Sequence, residues 1–399
     1  MNKNIQHLYE IAVKPARIII GLMSGTSLDG LDIALCRLSG SGVNTHIELL
    51  QFETASYPAS FKEEIKTVFS KEQVSLEKVC LLNEWVGLEH ARLINNFLDK
   101  NQINKNDVDI IASHGQTIYH APKILHGHAQ YPNGTLQIGD GDHIAVTTGI
   151  ITISDFRQKH IAAGGEGAPL AVYGDYFIFG KEGENRIMLN IGGIANFTYL
   201  PGDRDANKVF STDTGPGNTL MDAYMQKHFA RYFDEGAAIA KQGKVEPALL
   251  HELKKDSFFE KGFPKTTGPE LFNLAYLQAA QERAAVTDLS HEDIMATLNR
   301  FSADTIVAAL KKCLTDNDAF TLYASGGGMH NPLLMESLQS QLPGYTFSDT
   351  GSLQVNPDAK EAVLFAILAN ECLCGGDASL GDGRSGIPHV SMGKISFPV

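Results

Sequence analysis

The chain has 399 residues, with 33 Lys+Arg against 46 Asp+Glu and a formal net charge of −13. At about 100–200 residues per domain this length predicts two domains, each able to bury its own core, and 43% hydrophobic with 20% charged residues excludes a disordered or fibrous chain. The acidic balance counts against nucleic acid or an anionic membrane as the main partner, since both need a basic face, yet it allows a phosphate-bearing ligand held by backbone amides and helix termini.

The first residues, MNKNIQHLYEIAVKPAR, are polar and lack a secretory h-region, and no apolar run approaches a membrane span. A soluble cytoplasmic protein is expected. From Arg17 to Arg37 the pattern reads as strand, Gly/Ser/Thr turn and strand, a β-hairpin with an amide-rich tip. Helical periodicity follows over Phe61–Phe69 and Leu76–Leu98, then a strand over Asp107–Ala112 that ends at Ser113–Thr117. Further strands are expected at Ile150–Ser154, Ile187–Ile191 and Phe320–Ala324. Helices are expected at Thr219–Tyr232, Leu274–Ala285, His291–Leu314 and Lys360–Cys372. A hinge between lobes is placed at Thr147–Phe156. His120, His126 and His128 fall in or beside a turn-rich surface loop, Lys123–Gly134, and read as solvated side chains. The five scattered cysteines, Cys36, Cys80, Cys313, Cys372 and Cys374, have no metal-site spacing and read as reduced thiols.

Glycine is the outlier, 38 residues gathered in clusters. In GLMSGTSLDGLD (Gly21–Asp32), backbone N–H groups with the hydroxyls of Ser24, Thr26 and Ser27 could surround phosphate oxygens, and Gly25 and Gly30 permit close approach. Asp29 and Asp32 would repel that phosphate unless a divalent cation lay between. No Walker A loop is present, and a plain hairpin turn explains this cluster alone as well. NIGGIAN (Asn190–Asn196) repeats the strand-end glycine pair, with Asn196 as a polar clamp. SGGGMHN (Ser325–Asn331) precedes Pro332, which suits the opening of a helix, and its triple glycine fits a surface lying against a base or ribose. In DTGPGN (Asp213–Asn218) the carboxylate reads as sitting at the turn entering a helix, either as a cap or as a catalytic group. Polar groups at His114, Gln116, Thr117, Gln137, Asp155 and Arg157 suit a sugar-like ligand, with Arg157 for a carboxylate.

These motifs, together with LQIGD, GGEGAPL and PKTTGPELFN, make the sequence from about Ile18 to Gly381 resemble the anhydro-N-acetylmuramic acid kinases of the sugar kinase/actin/heat-shock ATPase superfamily. The resemblance implies an α/β fold of two actin-like (ribonuclease H-like) lobes, with ATP and sugar meeting in the cleft between them. The expected lobes are residues 1–153, of which 1–16 are an extension, and 154–399, whose tail packs back on the first. It implies an ATP- and Mg²⁺-dependent reaction in which 1,6-anhydro-N-acetylmuramic acid is hydrolysed and phosphorylated at O6 to give N-acetylmuramic acid 6-phosphate and ADP, in cell-wall recycling. Carried over by motif, Asp213 is the general base. Gly25, Thr26, Ser27, Leu28, Asp29, Gly30, Leu31 and Asp32 form the first phosphate loop, with Asp29 facing Mg²⁺, directly or through water. Gly192, Gly193 and Asn196 form the second loop, and Gly326, Gly327, Gly328 and Asn331 the nucleoside-side loop. His114, Gln116, Thr117, Gln137, Asp155, Arg157 and Glu361 fall on the sugar side. Gln158-Lys159 and Pro269 stand where many relatives carry arginine, so another 1,6-anhydrosugar such as anhydroglucose is the alternative substrate, and Lys159 could take over part of the acid's recognition. A homodimer is the expected assembly, because symmetric oligomers are common among soluble enzymes.

Overall fold

A computed structural model describes residues 1–25, 28–167, 170–313, 319–353, 356–375 and 390–399. They form two compact units, Met1–Phe179 with Val355–Val399, and Gly180–Gln354.

The first unit opens with α1 (Lys3–Ala12), where only a polar extension was expected, and continues through β1 (Ala16–Ser24), β2 (Gly30–Ser39) and β3 (His46–Ser56). Next come α2 (Ala59–Lys66), α3 (Leu76–Lys100), β4 (Ile110–Ala121) and a single turn, α4 (Lys123–His126). They are followed by β5 (Gly134–Ile138), α5 (Gly141–Thr148), β6 (Thr152–Ser154), α6 (Phe156–Ala162) and α7 (Ala171–Phe179). The second unit holds β7 (Asn185–Ile191), β8 (Ile194–Leu200), β9 (Phe210–Pro216), α8 (Thr219–Phe229), α9 (Pro247–Leu253) and α10 (Leu274–Ala284). It ends with α11 (His291–Cys313), β10 (Phe320–Ser325), α12 (Pro332–Gln341) and β11 (Thr346–Asp349). The chain then returns to the first unit as α13 (Lys360–Cys374) and β12 (Lys394–Ser396).

The first sheet runs β12-β6-β4-β1-β2-β3, with β5 paired to the second half of β4. The β1–β2 and β2–β3 pairs are antiparallel, and β1–β4 and β4–β6 are parallel. The second sheet runs β11-β10-β7-β8-β9. Its β7–β8 and β8–β9 pairs are antiparallel, and β7–β10 and β10–β11 are parallel. Each unit therefore carries the same arrangement, a three-stranded meander followed by two parallel strands. This is the ribonuclease H-like unit of the actin-like ATPases, so the α/β expectation holds.

The expected boundary at 153/154 falls inside the first unit. Its reason is hydrogen bonding: β6 is clamped between β4 and β12 rather than free to act as a hinge. Two other differences concern strand ends. SHGQT does not follow a strand but lies within β4, because residues 116–121 gain a partner in β5. Asp213 is likewise inside β9, opposite Asn196 on β8, rather than at the turn before α8.

Ile19, Ile20 and Leu22 of β1 are all buried, as expected of a strand covered on both faces. One covering layer is α3, whose Leu82, Val86, Leu93, Ile94 and Phe97 join Ile20, Leu22, Ile33 and Ile111 in one core. The other is α13, which lies against β1, β2 and β4. Contact there is possible because residue 21 is glycine: a Cβ at Gly21 would stand 1.9 Å from the Ala362 carbonyl oxygen. In the second unit, Ala303, Ile306, Val307 and Leu310 of α11 and Leu334 and Leu338 of α12 pack on Ile187, Leu189, Ile191, Phe197 and Leu322. No helix among the described residues is long and apolar enough to cross a membrane.

Gly21→Ala should cost about 1–3 kcal/mol by forcing α13 away from β1, whereas Gly344→Ala, with nothing within 4 Å of the added carbon, should be near neutral. Urea denaturation of the two variants checks this.

Candidate active site

Glycine-rich turns of the second unit are built by backbone hydrogen bonds. The β7–β8 turn is tied to the start of α8: Gly217 N and Thr219 N donate to the Gly193 carbonyl at 2.8 and 3.0 Å, and Asn218 N donates to the Gly192 carbonyl at 2.9 Å. A trans peptide points its N–H opposite its C=O, so the Gly193 N–H faces away from α8. A Cβ at Gly192 would find its nearest neighbour at 3.5 Å and one at Gly193 at 3.8 Å. Packing therefore does not demand glycine at either position, whereas close approach of a ligand would. Gly217 differs, since its Cβ would stand 2.3 Å from the Gly192 oxygen.

Asp213 belongs to the same corner. Its N–H donates to the Lys265 carbonyl at 3.0 Å, and its Oδ2 accepts the Thr267 N–H at 2.8 Å. Desolvation raises the carboxyl to about 6; the Thr267 hydrogen bond works in the opposite direction and nearby Glu270 adds to the rise. A carboxylate poised near neutral pH suits a general base.

After β10, Gly326 takes φ +82°, and a Cβ there would meet Asn190 Oδ1 at 2.6 Å, so this glycine is demanded by the backbone. Gly328 is demanded by packing, 2.3 Å from Ile191 Cγ2, while Gly327 faces open space out to 3.8 Å. Asn331 caps α12, its Oδ1 accepting Leu334 N–H and Asn299 Nδ2, each at 3.0 Å, and Pro332 takes the first helical position as expected. A cavity of about 420 Å³ adjoins this cap, lined among others by Asn299, Arg300, Leu333, Glu336 and Lys241. The Asn299 Oδ1 is buried with no protein partner among the described residues.

In the first unit, Thr26 and Ser27 lie outside the described residues. Ser24, at the end of β1, donates to Gln116 Oε1 at 2.5 Å and meets the Tyr57 hydroxyl at 2.8 Å, which meets His90 Nε2 at 2.9 Å. All four side chains are buried. Gln116 Nε2 donates to the Gly25 and Thr117 carbonyls, so the amide expected to face sugar is already spent on the first glycine loop. Leu28 and Leu31 are core residues, leaving only their backbones for a ligand. Gly30 is demanded by packing, its Cβ position 2.6 Å from the Ala55 oxygen.

Asp32 on β2 accepts from Thr54 Oγ1 at 2.6 Å. Its carboxyl is raised by desolvation, with Thr54 lowering it and the charges of Asp358 and Asp29 raising it further. Asp29 is exposed. Accumulated negative charge of this kind fits a divalent cation, although no three metal-ligating side chains converge among the described residues. Mg²⁺ needs no such cage, because it binds through one or two carboxylates together with water and substrate phosphates.

Arg157 donates from Nε to His114 Nε2 at 2.9 Å and from Nη1 to the Gly167 carbonyl at 2.6 Å. His114 is therefore neutral with its proton on Nδ1, in keeping with a pKa held well below its ordinary value by burial and then by Arg157. The Gly167 N–H is held by His160 Nδ1 at 2.9 Å. Burial also lowers Arg157, against the charge of Glu361, and Glu361 is itself raised by desolvation. Gln137 donates to Thr117 Oγ1 and Thr135 Oγ1 at 3.0 and 2.8 Å, and its Oε1 is buried with no partner among the described residues. Asp155 takes φ +58° at the start of α6 and pairs with Lys394. The structure thus gathers His114 and Arg157, with Glu361 within electrostatic reach, and commits Asp155 to an ion pair.

Residues 17–397 match the family model described as anhydro-N-acetylmuramic acid kinase. Two anhydro-N-acetylmuramic acid kinases, from Pseudoalteromonas atlantica and Pseudoalteromonas translucida, are 59% and 57% identical, with full coverage of both chains in each case. A third, from Caldanaerobacter subterraneus, is 37% identical over 98% of this chain and 100% of its own. The chain belongs to the anhydro-N-acetylmuramic acid kinase family.

For this kinase, sequence reasoning passed over Tyr57, His90, Thr54, Asn299, Lys265 and Thr267. Thr267 and Lys265 were inside a recognised motif, PKTTG, but carried no role until the backbone brought them to Asp213. Tyr57 and His90 have no motif at all, since single aromatic residues 33 positions apart give no pattern to read.

Because Asp213 titrates at about 6 rather than its usual 3.8, the native state holds its proton over a window where the unfolded chain has lost it. Its contribution to stability is complete below about pH 4 and is lost as pH rises through about 6. Asp213→Asn should therefore melt higher than the native protein at pH 8, with the gap closing toward pH 4. Equal gaps in paired thermal melts at the two pH values would show that the carboxylate is not desolvated.

Proposed function

We propose that this chain catalyses the reaction for which its family is named, with Asp213 as general base. A water oxygen attacks the anomeric carbon of 1,6-anhydro-N-acetylmuramic acid while Asp213 takes its proton. The C1–O6 bond breaks, O6 takes the γ-phosphoryl group of ATP, and N-acetylmuramic acid 6-phosphate and ADP leave. The observation that carries this reading is a desolvated carboxylate, poised at about 6, in a chain that matches anhydro-N-acetylmuramic acid kinases along its full length. One base suffices, because the phosphoryl acceptor is generated by the same bond cleavage.

The remaining roles follow from what each residue has left to offer. Gly192, Gly193 and Gly327 give backbone access to phosphate, and Asn196 stands beside Asp213 in register. The loop Gly25–Asp32 takes the second phosphate contact, with Gln116, held by Ser24, donating to the Gly25 carbonyl at its start. The cavity beside Asn299 and Asn331 is of a size to take the nucleoside. Asp29 and Asp32 would hold Mg²⁺, Asp29 through water; when bound, the ion neutralises charge on the transferring phosphates. Among the described residues Arg157 uses two of its five N–H donors, which leaves a charged face for the lactyl carboxylate, and His114, Thr117, Gln137 and Glu361 frame the sugar hydroxyls. The ATP that the reaction consumes is a cytoplasmic metabolite, which supports a cytoplasmic location.

A second substrate reading rests on Gln158. Its amide donates to the Thr135 carbonyl at 2.7 Å, so it brings no charge to an acid, and an anhydrosugar lacking the lactyl group would lose less here than in an arginine-rich site.

Asp213→Asn should lower kcat by at least about 10³-fold with ATP affinity retained, as removal of a catalytic proton acceptor does; full turnover in that variant would remove the assigned base. In the native enzyme the acid limb of kcat/KM should lie near pH 6. A kcat/KM comparison of 1,6-anhydro-N-acetylmuramic acid with anhydroglucose decides the substrate. An unpaired Arg157 should make the second sugar at least about 10²-fold poorer, and equal values would favour the alternative.

A further inference from the structure

We propose that Lys265 is a positioning residue for Asp213, a buried ammonium that pins the segment Phe263–Thr267 so that the Thr267 N–H stays on the Asp213 carboxylate. The inference rests on the assignment of Asp213 for its catalytic consequence, but not for its geometry.

Lys265 is 8% exposed. Its Nζ donates to the Phe258 carbonyl at 3.0 Å and stands 4.2, 5.3 and 5.7 Å from the ring centres of Phe258, Phe263 and Phe259. Such rings attract a cation through their electron-rich faces. Among the described residues no carboxylate pairs with it, and the charged groups that act on it, Lys312 and Lys261, are of like sign, with Cys313 the other titratable neighbour. Desolvation and these lysines lower the amine to about 8. Burying an ammonium this way is unfavourable compared with a methionine of similar length, so packing alone does not account for a lysine.

Its place in the backbone shows what the side chain would hold in position. Lys265 N donates to Thr212 Oγ1 at 3.0 Å, and its carbonyl accepts Asp213 N–H at 3.0 Å. The residue therefore grips β9 on both sides of its peptide, immediately at the carboxylate, while its side chain anchors to the segment Ser257–Glu260. Two residues further on, Thr267 N–H reaches Asp213 Oδ2 at 2.8 Å. Loss of the side-chain anchor leaves the Phe258 carbonyl with only the Lys261 N–H, at 3.3 Å, and lets the strap drift. The hydrogen bond that opposes the desolvation of Asp213 then weakens, while desolvation and Glu270 continue to push the carboxyl up.

The test compares Lys265→Met and Lys265→Arg with the native protein, following the Asp213 carboxyl by ¹³C NMR titration, assigned by its loss in Asp213→Asn, alongside kcat and the ATP KM. In Lys265→Met the Asp213 midpoint should rise by about half a unit or more and kcat should fall about tenfold or more, with the ATP KM within about twofold; Lys265→Arg should recover most of both. An unmoved midpoint in Lys265→Met overturns the proposal, whether or not kcat falls, because a general loss of packing would slow the enzyme without retuning this one carboxyl. If Lys265→Met does not fold, Phe258→Leu removes one wall of the cage and is read by the same midpoint, a rise supporting the proposal and no change overturning it. Should Asp213→Asn keep full activity, the base assignment fails, while a moved midpoint still upholds the anchoring of Thr267.

Discussion

A carboxylate kept out of water and steadied by one backbone N–H is the constraint around which the second unit is organised. Asp213 can neither be fully solvated, which would return it to the ordinary range of an aspartate, nor be left without a donor, which would push its carboxyl further up. Desolvation, opposed by the Thr267 N–H and aided by Glu270, sets the compromise at about 6. Holding that donor requires a segment from outside the sheet to lie along β9, and Thr212, Lys265 and the Phe258 carbonyl fasten it there. The neighbouring glycine turn is fastened just as firmly, since the first three N–H groups around the start of α8 are satisfied by Gly192 and Gly193 rather than by side-chain caps. Asp213 and the glycine turn thus share one corner of hydrogen-bonded backbone.

The first unit solves a related problem with side chains. Its glycine loop rests on a buried relay from His90 through Tyr57 and Ser24 to Gln116, which reaches back to the Gly25 carbonyl. Buried relays hold a single geometry because breaking any member strands the next, at about 1–3 kcal/mol for each unsatisfied group. Arg157 is fixed in the same fashion between His114 and Gly167, with Gly167 gripped on its other side by His160. A guanidinium so oriented loses little entropy when a carboxylate arrives.

Glycine serves three distinct purposes in these loops. Gly21, Gly30, Gly217 and Gly328 let backbone or side chains approach where a Cβ would collide, Gly326 supplies a backbone angle, and Gly192, Gly193 and Gly327 do neither. Only in the last group does the surrounding packing leave the glycine unexplained. The acidic net charge of −13 is compatible with phosphate chemistry, since backbone amides can hold phosphate without basic side chains.

The sequence by itself determined the family and the reaction class, because the glycine clusters, DTGPGN and PKTTG are local strings whose order survives without any knowledge of contacts. It also determined the helices with strong periodicity, such as α3 and α11, and the opening of α12 at Pro332. Tertiary structure alone decided where strands end: β4 runs on through SHGQT because β5 pairs with it, and Asp213 lies within β9 because β8 holds it there. Contacts between distant residues were equally out of reach of the sequence. Whether Gln116 is free or committed, which N–H steadies Asp213, and which unit receives α13 depend on pairings across tens to hundreds of residues, and no local pattern of side chains encodes a partner that only the folded backbone brings near.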